Sequence, residues 1–171
     1  MIFKKMAICI LIGIFTLFLS CEKKKEEVKE EGVFIIKEGN KYGFSGYLNG
    51  KKIYIEPRFT FANKFSEGLA VVELDGKMGY VDYSGKLVIS NRFDMAYDFS
   101  DGLGRVMVSR KFGFINRKGE IVIGLIYDDA TDFRNGMAYV FVGKSRIKID
   151  QEGNIIPSYT NTNFFYNPKN Y

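Results

Sequence analysis

A segment that recurs every 34 residues constrains the fold of this chain more than any other feature of its sequence. Phe65-Ser-Glu-Gly68, Phe99-Ser-Asp-Gly102 and Phe133-Arg-Asn-Gly136 occupy equivalent places, and each is followed by Leu or Met and then a small residue. A fixed period of this length is typical of repeat proteins, in which each unit buries its apolar face by packing on the next unit. We therefore expect a stack of similar units.

Within one period the apolar residues alternate with other types, which predicts β-strands that have one buried face. After each Phe-x-x-Gly, one parity of the strand is consistently small or apolar: Ala70, Val72, Leu74, Gly104, Val106, Val108, Ala138, Val140 and Val142. Asp75-Gly76 predicts a two-residue hairpin to the next strand. That strand ends at Asp82-x-x-Gly85, a turn that an Asx side chain caps and glycine closes, and Asn116 and Asp150 begin equivalent turns.

Each unit is thus predicted to be a three-stranded antiparallel meander followed by an irregular return to the next unit. Aromatic and alanine residues recur in the returns and are expected to fill the interfaces between units: Phe59, Ala62, Phe65, Phe93, Ala96, Phe99, Tyr127, Ala130 and Phe133. The predicted fold is all-β, with about four units over residues 32–157 stacked as an open twisted array. A small closed β-propeller is the alternative, although propeller blades normally have four strands and more than about 34 residues.

Three short segments give the chain a resemblance to a known family. Lys41-Tyr-Gly-Phe44, Lys77-Met-Gly-Tyr80 and Lys111-Phe-Gly-Phe114 are each followed by the glycine turn, an aliphatic strand and the Phe-x-x-Gly segment. This pattern resembles the WG repeat, also called the KWG repeat, although Tyr42, Met78, Phe112 and Arg146 stand where that family has tryptophan. The resemblance implies a tandem-repeat architecture that is often found in exported bacterial proteins, and it implies no catalytic residues.

The first 31 residues have a different character from the repeats. A basic start at Lys4 and Lys5 precedes a short apolar run from Met6 to Leu19, which is typical of a signal peptide. The run ends in Leu17-Phe-Leu-Ser-Cys21, which resembles the lipobox of bacterial lipoproteins and implies cleavage before Cys21 and acylation of that residue. An uncleaved N-terminal anchor is the alternative.

The domain prediction follows from these segments: a lipoprotein signal peptide over 1–21, a charged tether over 22–31, the repeat domain over 32–157 and a polar, aromatic tail over 158–171. Nine of the ten tether residues are charged, so the tether cannot bury enough apolar surface to fold alone. The tail either caps the last unit or is loose. We expect an exported lipoprotein that is held to the membrane by its N-terminal lipid, on the periplasmic or the outer surface.

The composition narrows the chemistry that the repeats can perform. The chain has no histidine, and its two cysteines are Cys9 and Cys21, so no catalytic thiol, metal site or cofactor is predicted after residue 21. The formal net charge of +5 is spread through strands and turns, which argues against a nucleic-acid partner. Acidic residues of the returns are interpreted as solvated turn acids: Asp94, Asp98, Asp101, Asp128, Asp129 and Asp132.

These observations predict a non-catalytic binding or scaffold lipoprotein of the cell envelope that contacts another protein. The alternative is an envelope hydrolase that uses a pair of carboxylates. In the strand that follows each Phe-x-x-Gly segment, which we call the opening strand, the alternate residues of the other parity vary from copy to copy. The candidate partner surface consists of four of these variable residues: Arg105, Met107, Tyr139 and Phe141. Their types resemble the composition of protein interfaces. We expect these side chains to lie side by side and to stay exposed, unless a second layer made by the returns covers them.

Overall fold

The computed structural model describes residues 31–157, all of which belong to strands and their connections. The predicted signal peptide, the tether except Glu31, and the tail lie outside the described residues. The first sheet contains β1 (Gly32–Glu38), β2 (Lys41–Leu48) and β3 (Lys51–Phe59). The second contains β4 (Phe61–Ala62), β5 (Ala70–Leu74), β6 (Lys77–Val81) and β7 (Leu87–Phe93). The third contains β8 (Met95–Ser100), β9 (Leu103–Val108), β10 (Lys111–Ile115) and β11 (Ile121–Tyr127). The fourth contains β12 (Asp129–Ala130), β13 (Met137–Val142) and β14 (Ser145–Asp150).

Each of the four sheets is an antiparallel meander in which strands that are consecutive in the chain lie side by side. The all-β repeat architecture predicted from the sequence is therefore confirmed. The returns differ from the prediction because they are not wholly irregular. They contribute β4, β8 and β12, which pair with the opening strand of the following unit, as Ala96 does with Val106. Alanine at this position allows close packing, and pairing satisfies backbone groups that would otherwise be buried without partners.

The predicted turns are present. Asp75 and Gly76 both have positive φ, at 54° and 73°, which is the conformation of a tight two-residue hairpin. In the following turn the amide of Gly85 donates to the carbonyl of Asp82 at 2.9 Å. The amide of Ser84 donates to Asp82 Oδ1 at 2.8 Å, so the Asx side chain caps the turn as predicted.

The glycine of each Lys-x-Gly segment has a steric reason. A Cβ placed on Gly79 would lie 2.6 Å from the carbonyl oxygen of Ile89, and one on Gly113 would lie 2.5 Å from that of Ile123. Both glycines lie beside register shifts, where the outer strand bulges towards its neighbour. Because the obstructing atoms belong to the backbone, a larger residue would have to displace a strand.

The buried side chains form three cores, and each core lies between two consecutive sheets. The first core combines residues of the first and second sheets: Phe44, Ile55, Phe59, Ala62, Ala70, Val72 and Val81. The second combines the second and third sheets: Leu69, Val71, Tyr80, Ile89, Phe93, Ala96, Phe99, Val106 and Ile115. The third combines the third and fourth sheets: Phe114, Ile123, Ala130, Phe133, Ala138, Val140 and Ile149. The aromatic residues of the returns therefore lie between units, as predicted.

The stack is open. Within residues 31–157, each sheet makes extensive contacts with the next sheet along the chain. No strand of the first sheet makes such a contact with the fourth sheet. Polar contacts reinforce the stacking at a similar spacing along the chain. Ser66 Oγ donates to the carbonyl of Phe99 at 2.8 Å, and Ser100 Oγ donates to that of Phe133 at 2.6 Å. The repeating unit is thus joined to the next by both apolar and hydrogen-bonded contacts.

Candidate interaction surface

The variable parity of the opening strands does not form the continuous exposed strip that the sequence suggested. Because each inner sheet is packed on both faces, Val71 is 1% exposed and belongs to the core between the second and third sheets. Tyr139, at the equivalent place in the last sheet, is 38% exposed. Equivalent members of the set therefore lie in different surroundings, one inside an interface between sheets and one at the exposed end of the stack, and the expectation of one shared strip is wrong.

Arg105 is held inside the interface between the third and fourth sheets. Its side chain is only 13% exposed, so the expectation that it stays exposed is wrong. Arg105 Nε donates to Asp132 Oδ1 at 2.8 Å. Its guanidinium lies over the ring of Tyr97, with Cζ 3.5 Å from the ring centroid, and 5.7 Å from that of Phe112. An ion pair and a cation–π contact together account for this arginine structurally.

A cleft of about 620 Å³ nevertheless brings Arg105 and Tyr139 together at the edge of this interface. Its lining comprises Arg105, Asp129, Ala130, Thr131, Asp132, Arg134, Met137, Tyr139 and Lys148. Met107 and Phe141, the other two candidate residues, are partly buried. In the strand pairing, Met107 lies opposite Met95 and Phe112. Phe141 lies opposite Asp129 and Arg146. A binding role for Arg105, Met107, Tyr139 and Phe141 stays a prediction.

The acidic residues of the returns tie neighbouring elements together. Asp94 pairs with Lys77 and accepts a hydrogen bond from the amide of Ser109, and both contacts lower the pKa of its carboxyl, the one from Lys77 more strongly. Asp128 makes the equivalent contacts with Lys111 and the amide of Gly143, and its pKa is lowered for the same reasons.

Asp98 behaves in the opposite way. Burial raises the pKa of its carboxyl, and a 2.9 Å hydrogen bond from Asn63 Nδ2 offsets part of that rise. Within residues 31–157, no three acidic or cysteine side chains are grouped so that they could hold a metal ion.

The outward side of the last sheet departs from the repeat pattern. Phe44, Tyr80 and Phe114 are wholly buried against the next sheet, but Lys148 stands at the equivalent place and is partly exposed. Likewise Arg146 replaces the partly buried Phe112. Arg146 and Lys148 thus occupy positions that are apolar in every unit that has another unit packed after it. This change from apolar to cationic residues is the sequence signal that would have revealed an exposed end of the stack.

We call Tyr139, Phe141, Arg146 and Lys148 the terminal face. Tyr139 lies directly opposite Lys148 and Phe141 directly opposite Arg146 in the pairing of β13 with β14. Arg146 Cζ lies 4.7 Å from the centroid of the Tyr139 ring, which is a cation–π distance. A second cleft of about 690 Å³ opens here, lined by Tyr139, Arg146, Ile147, Lys148, Ile155, Ile156 and Pro157. The face therefore combines aromatic surface with positive charge.

The repeated meanders and the interfaces between them define a tandem β-repeat protein. The family described as WG containing repeat matches residues 49–77, 78–111 and 112–144. These matches cover more than half of the sequence, and the chain belongs to the WG-repeat family. No curated protein sequence matches the chain significantly.

Three solved structures show a distant similarity. A hemopexin-fold protein, CP4 from cow pea, is 16% identical with a TM-score of 0.32, over 75% of this chain and 89% of that one. A 2S albumin seed protein from Dolichos is 15% identical with a TM-score of 0.30, over 75% and 88%. A plant albumin from Cicer arietinum showing hemagglutination is 12% identical with a TM-score of 0.29, over 74% and 84%. Scores of this size support no argument about fold or function.

Proposed function

We propose that this protein is a non-catalytic binding or scaffold lipoprotein of the cell envelope, and that it holds a protein partner on the terminal face. The observation that carries the proposal is the exposure of Tyr139 under the guanidinium of Arg146, at the one end of the stack where cations replace the buried aromatic positions. Tyrosine and arginine are enriched among the residues that dominate binding at protein interfaces. Because each unit of an open stack contacts only its neighbours, a partner can bind the exposed face of the last unit without changing the packing of the cores.

The proposed anchor is the lipid on Cys21. It is supported by the basic start, the apolar run and the Leu17-Phe-Leu-Ser-Cys21 segment. Among residues 31–157 there is no helix that is long and apolar enough to cross a membrane. Labelling of growing cells with a radioactive fatty acid would compare the natural chain with Cys21→Ala. Loss of label in the variant is expected, and equal labelling of both chains would contradict the anchor.

Binding is favoured over carboxylate-dependent hydrolysis by what the acids of the cleft already contact. Asp132 accepts a hydrogen bond from Arg105 at 2.8 Å, and Asp129 Oδ1 accepts one from the amide of Ala130. Each carboxylate of the cleft thus already accepts a hydrogen bond within the fold, which accounts for the pair structurally. The aromatic and cationic groups of the terminal face carry no comparable internal ion pair within the part of the chain that the structure describes.

The test uses the full-length chain, purified in detergent and immobilised, to capture proteins from an envelope extract. Tyr139→Ala is expected to reduce recovery of a specific partner at least tenfold while the melting temperature changes little. Tyr54→Ala is the matched control, because Tyr54 is a tyrosine of the first sheet that is 60% exposed. Equal loss in both variants, or several kcal/mol of destabilisation by Tyr139→Ala, would overturn the proposal.

A further inference from the structure

In the part of the chain that the structure describes, the outer edge of β14 lacks the long strand that its counterparts have. In the second and third sheets, β6 and β10 are flanked by the seven-residue strands β7 and β11. Within residues 31–157, β14 contacts the following segment through a bridge between Ile149 and Ile155 and through backbone hydrogen bonds. The amide of Asp150 donates to the carbonyl of Asn154 at 3.0 Å, and the amide of Ile156 donates to the carbonyl of Lys148 at 2.8 Å. The remainder of this edge has no strand beside it in the described part of the chain.

The backbone of Arg146 faces that edge. In an antiparallel strand, residues two apart direct their N–H and C=O groups to the same side. The carbonyl of Lys148 is bonded to Ile156 on the side away from β13, so the N–H and C=O of Arg146 point the same way. Where such groups have no partner, as here within residues 31–157, they are the template to which an extended peptide adds as a further strand.

The chain's own continuation has lost the residues that fix the outer strand elsewhere. Pro157 stands at the place of Ile89 and Ile123, which are buried in the cores, and Asn161 stands at the place of Phe93 and Tyr127. Proline has no N–H to donate to a neighbouring strand. None of residues 158–171 is acidic, so this segment also carries no side-chain charge complementary to Arg146 and Lys148.

We propose that the edge of β14 binds an extended acidic segment of a partner protein, which adds antiparallel to β14 as the fourth strand of the last sheet. This inference rests on the proposed function and specifies the partner's chemistry. Backbone hydrogen bonds to Arg146 provide the pairing. Carboxylates on one parity of the segment lie beside the Arg146 and Lys148 side chains. Its apolar residues, on the other parity, lie on the opposite face of the sheet, which carries Ile147 and Ile155. The arrangement would complete the sheet as β7 and β11 complete theirs.

The probe is a fluorescein-labelled peptide of eight residues that alternates valine and glutamate, titrated with the full-length chain in detergent. A valine–lysine peptide tests charge. A valine–glutamate peptide that is N-methylated on alternate residues tests strand pairing, because it keeps the charge but lacks the donors on one edge. We expect only the unmodified acidic peptide to bind, with an affinity that falls as salt rises, and hydrogen exchange at the Arg146 amide to slow when it is bound.

Charge reversal provides matched variants. Arg146→Glu with Lys148→Glu is expected to weaken binding of the acidic peptide at least tenfold and to favour the lysine peptide. Lys51→Glu with Lys52→Glu makes the same change in net charge on exposed residues of β3, at the other end of the stack, and is expected to leave the affinity unchanged. Equal effects of the two pairs would overturn the proposal.

Three further outcomes would overturn it. Equal binding of the methylated and unmodified peptides would show a purely electrostatic contact. Equal binding of the acidic and basic peptides would show no charge selection. Binding that appears only after the chain is shortened to end at Pro157 would show that residues 158–171 occupy the edge. If Tyr139→Ala still abolishes partner capture while the acidic peptide fails to bind, the proposed function stands and strand addition does not.

Discussion

Arg105 Nε donates to Asp132 Oδ1 across 2.8 Å, and this contact joins the third sheet to the return that opens the fourth. The arginine is mostly buried, while the aspartate keeps 36% of its side chain exposed. Removal of either partner would leave a charge that has lost its counter-ion in a partly desolvated interface. Such pairs couple strongly when both groups are within hydrogen-bonding distance.

A double-mutant cycle with Arg105→Leu and Asp132→Asn measures that coupling. Each single change is expected to lower the free energy of unfolding, and the interaction energy from the cycle is expected to be about 0.5–3 kcal/mol. Urea denaturation provides the measurement. The exposed pair Lys111 and Asp128 serves as a control, with a coupling expected below about 1 kcal/mol. Additive single effects at Arg105 and Asp132 would contradict the structural role assigned to the pair.

Gly79→Ala tests the steric reason for the repeated glycine. The added Cβ would meet the carbonyl of Ile89 at 2.6 Å, so we expect a loss of about 1–3 kcal/mol in the free energy of unfolding. Gly124→Ala is the control, because Gly124 lies in β11 and its nearest contact would be an Ile126 methyl at 3.8 Å. A change within about 0.5 kcal/mol is expected there. Similar melting temperatures for both variants would refute the explanation.

Phe114→Ala and Lys148→Ala compare equivalent positions in an inner sheet and in the last one. Phe114 is wholly buried, and its truncation is expected to cost about 3–5 kcal/mol. Lys148 is partly exposed with no following unit in the described residues, and its truncation is expected to change stability by no more than about 0.5 kcal/mol. Chemical denaturation distinguishes them, and a large loss at Lys148 would mean that the terminal face is packed.

Asp98 and Asp128 should give opposite dependences of stability on pH. Burial raises the folded-state pKa of Asp98 above its ordinary value of 3.8, so ionisation of this group opposes folding. The stability of the natural chain relative to Asp98→Asn is therefore expected to fall as the pH rises from 3.8 through the folded pKa. Denaturation midpoints between pH 3 and pH 7 measure this difference.

For Asp128, the hydrogen bond from Lys111 lowers the folded-state pKa below 3.8, so its ionised form favours folding. The advantage of the natural chain over Asp128→Asn is fully present above pH 3.8 and is lost as the pH falls through the folded pKa. The two differences thus have opposite slopes. Parallel pH profiles for the two variants would contradict the assigned environments.

Much of the fold could be predicted from residues that act locally. Asp75-Gly76 specifies a tight hairpin because glycine, and to a smaller extent aspartate, tolerates positive φ. Asp82 caps its own turn with a side chain that reaches only two residues along the chain. The alternation of Ala70 and Val72 with other residues reveals a strand with a buried face. The returns were harder to predict, because a strand of two residues such as β4 or β12 leaves no periodic pattern.

The candidate surface was predicted only in part. Tyr139 lies on the exposed outward side, but Val71 and Arg105 occupy the same repeat position and are covered. Arg146 and Lys148 were not singled out as binding residues, although their departure from Phe112 and Phe114 was visible in the sequence. Strand alternation identifies which side chains share a face, but it does not reveal whether a neighbouring sheet covers that face.

The sequence by itself determined the period, the strands, the tight turns and the aromatic residues that join units, because each depends on interactions within one repeat or between identical places of adjacent repeats. Tertiary structure alone decided which variable residues meet solvent. A residue's exposure depends on the unit that follows it, and Val71 is followed by the third sheet whereas Tyr139 has no further sheet beyond it in the described chain. Equivalent positions therefore became core in one repeat and surface in another.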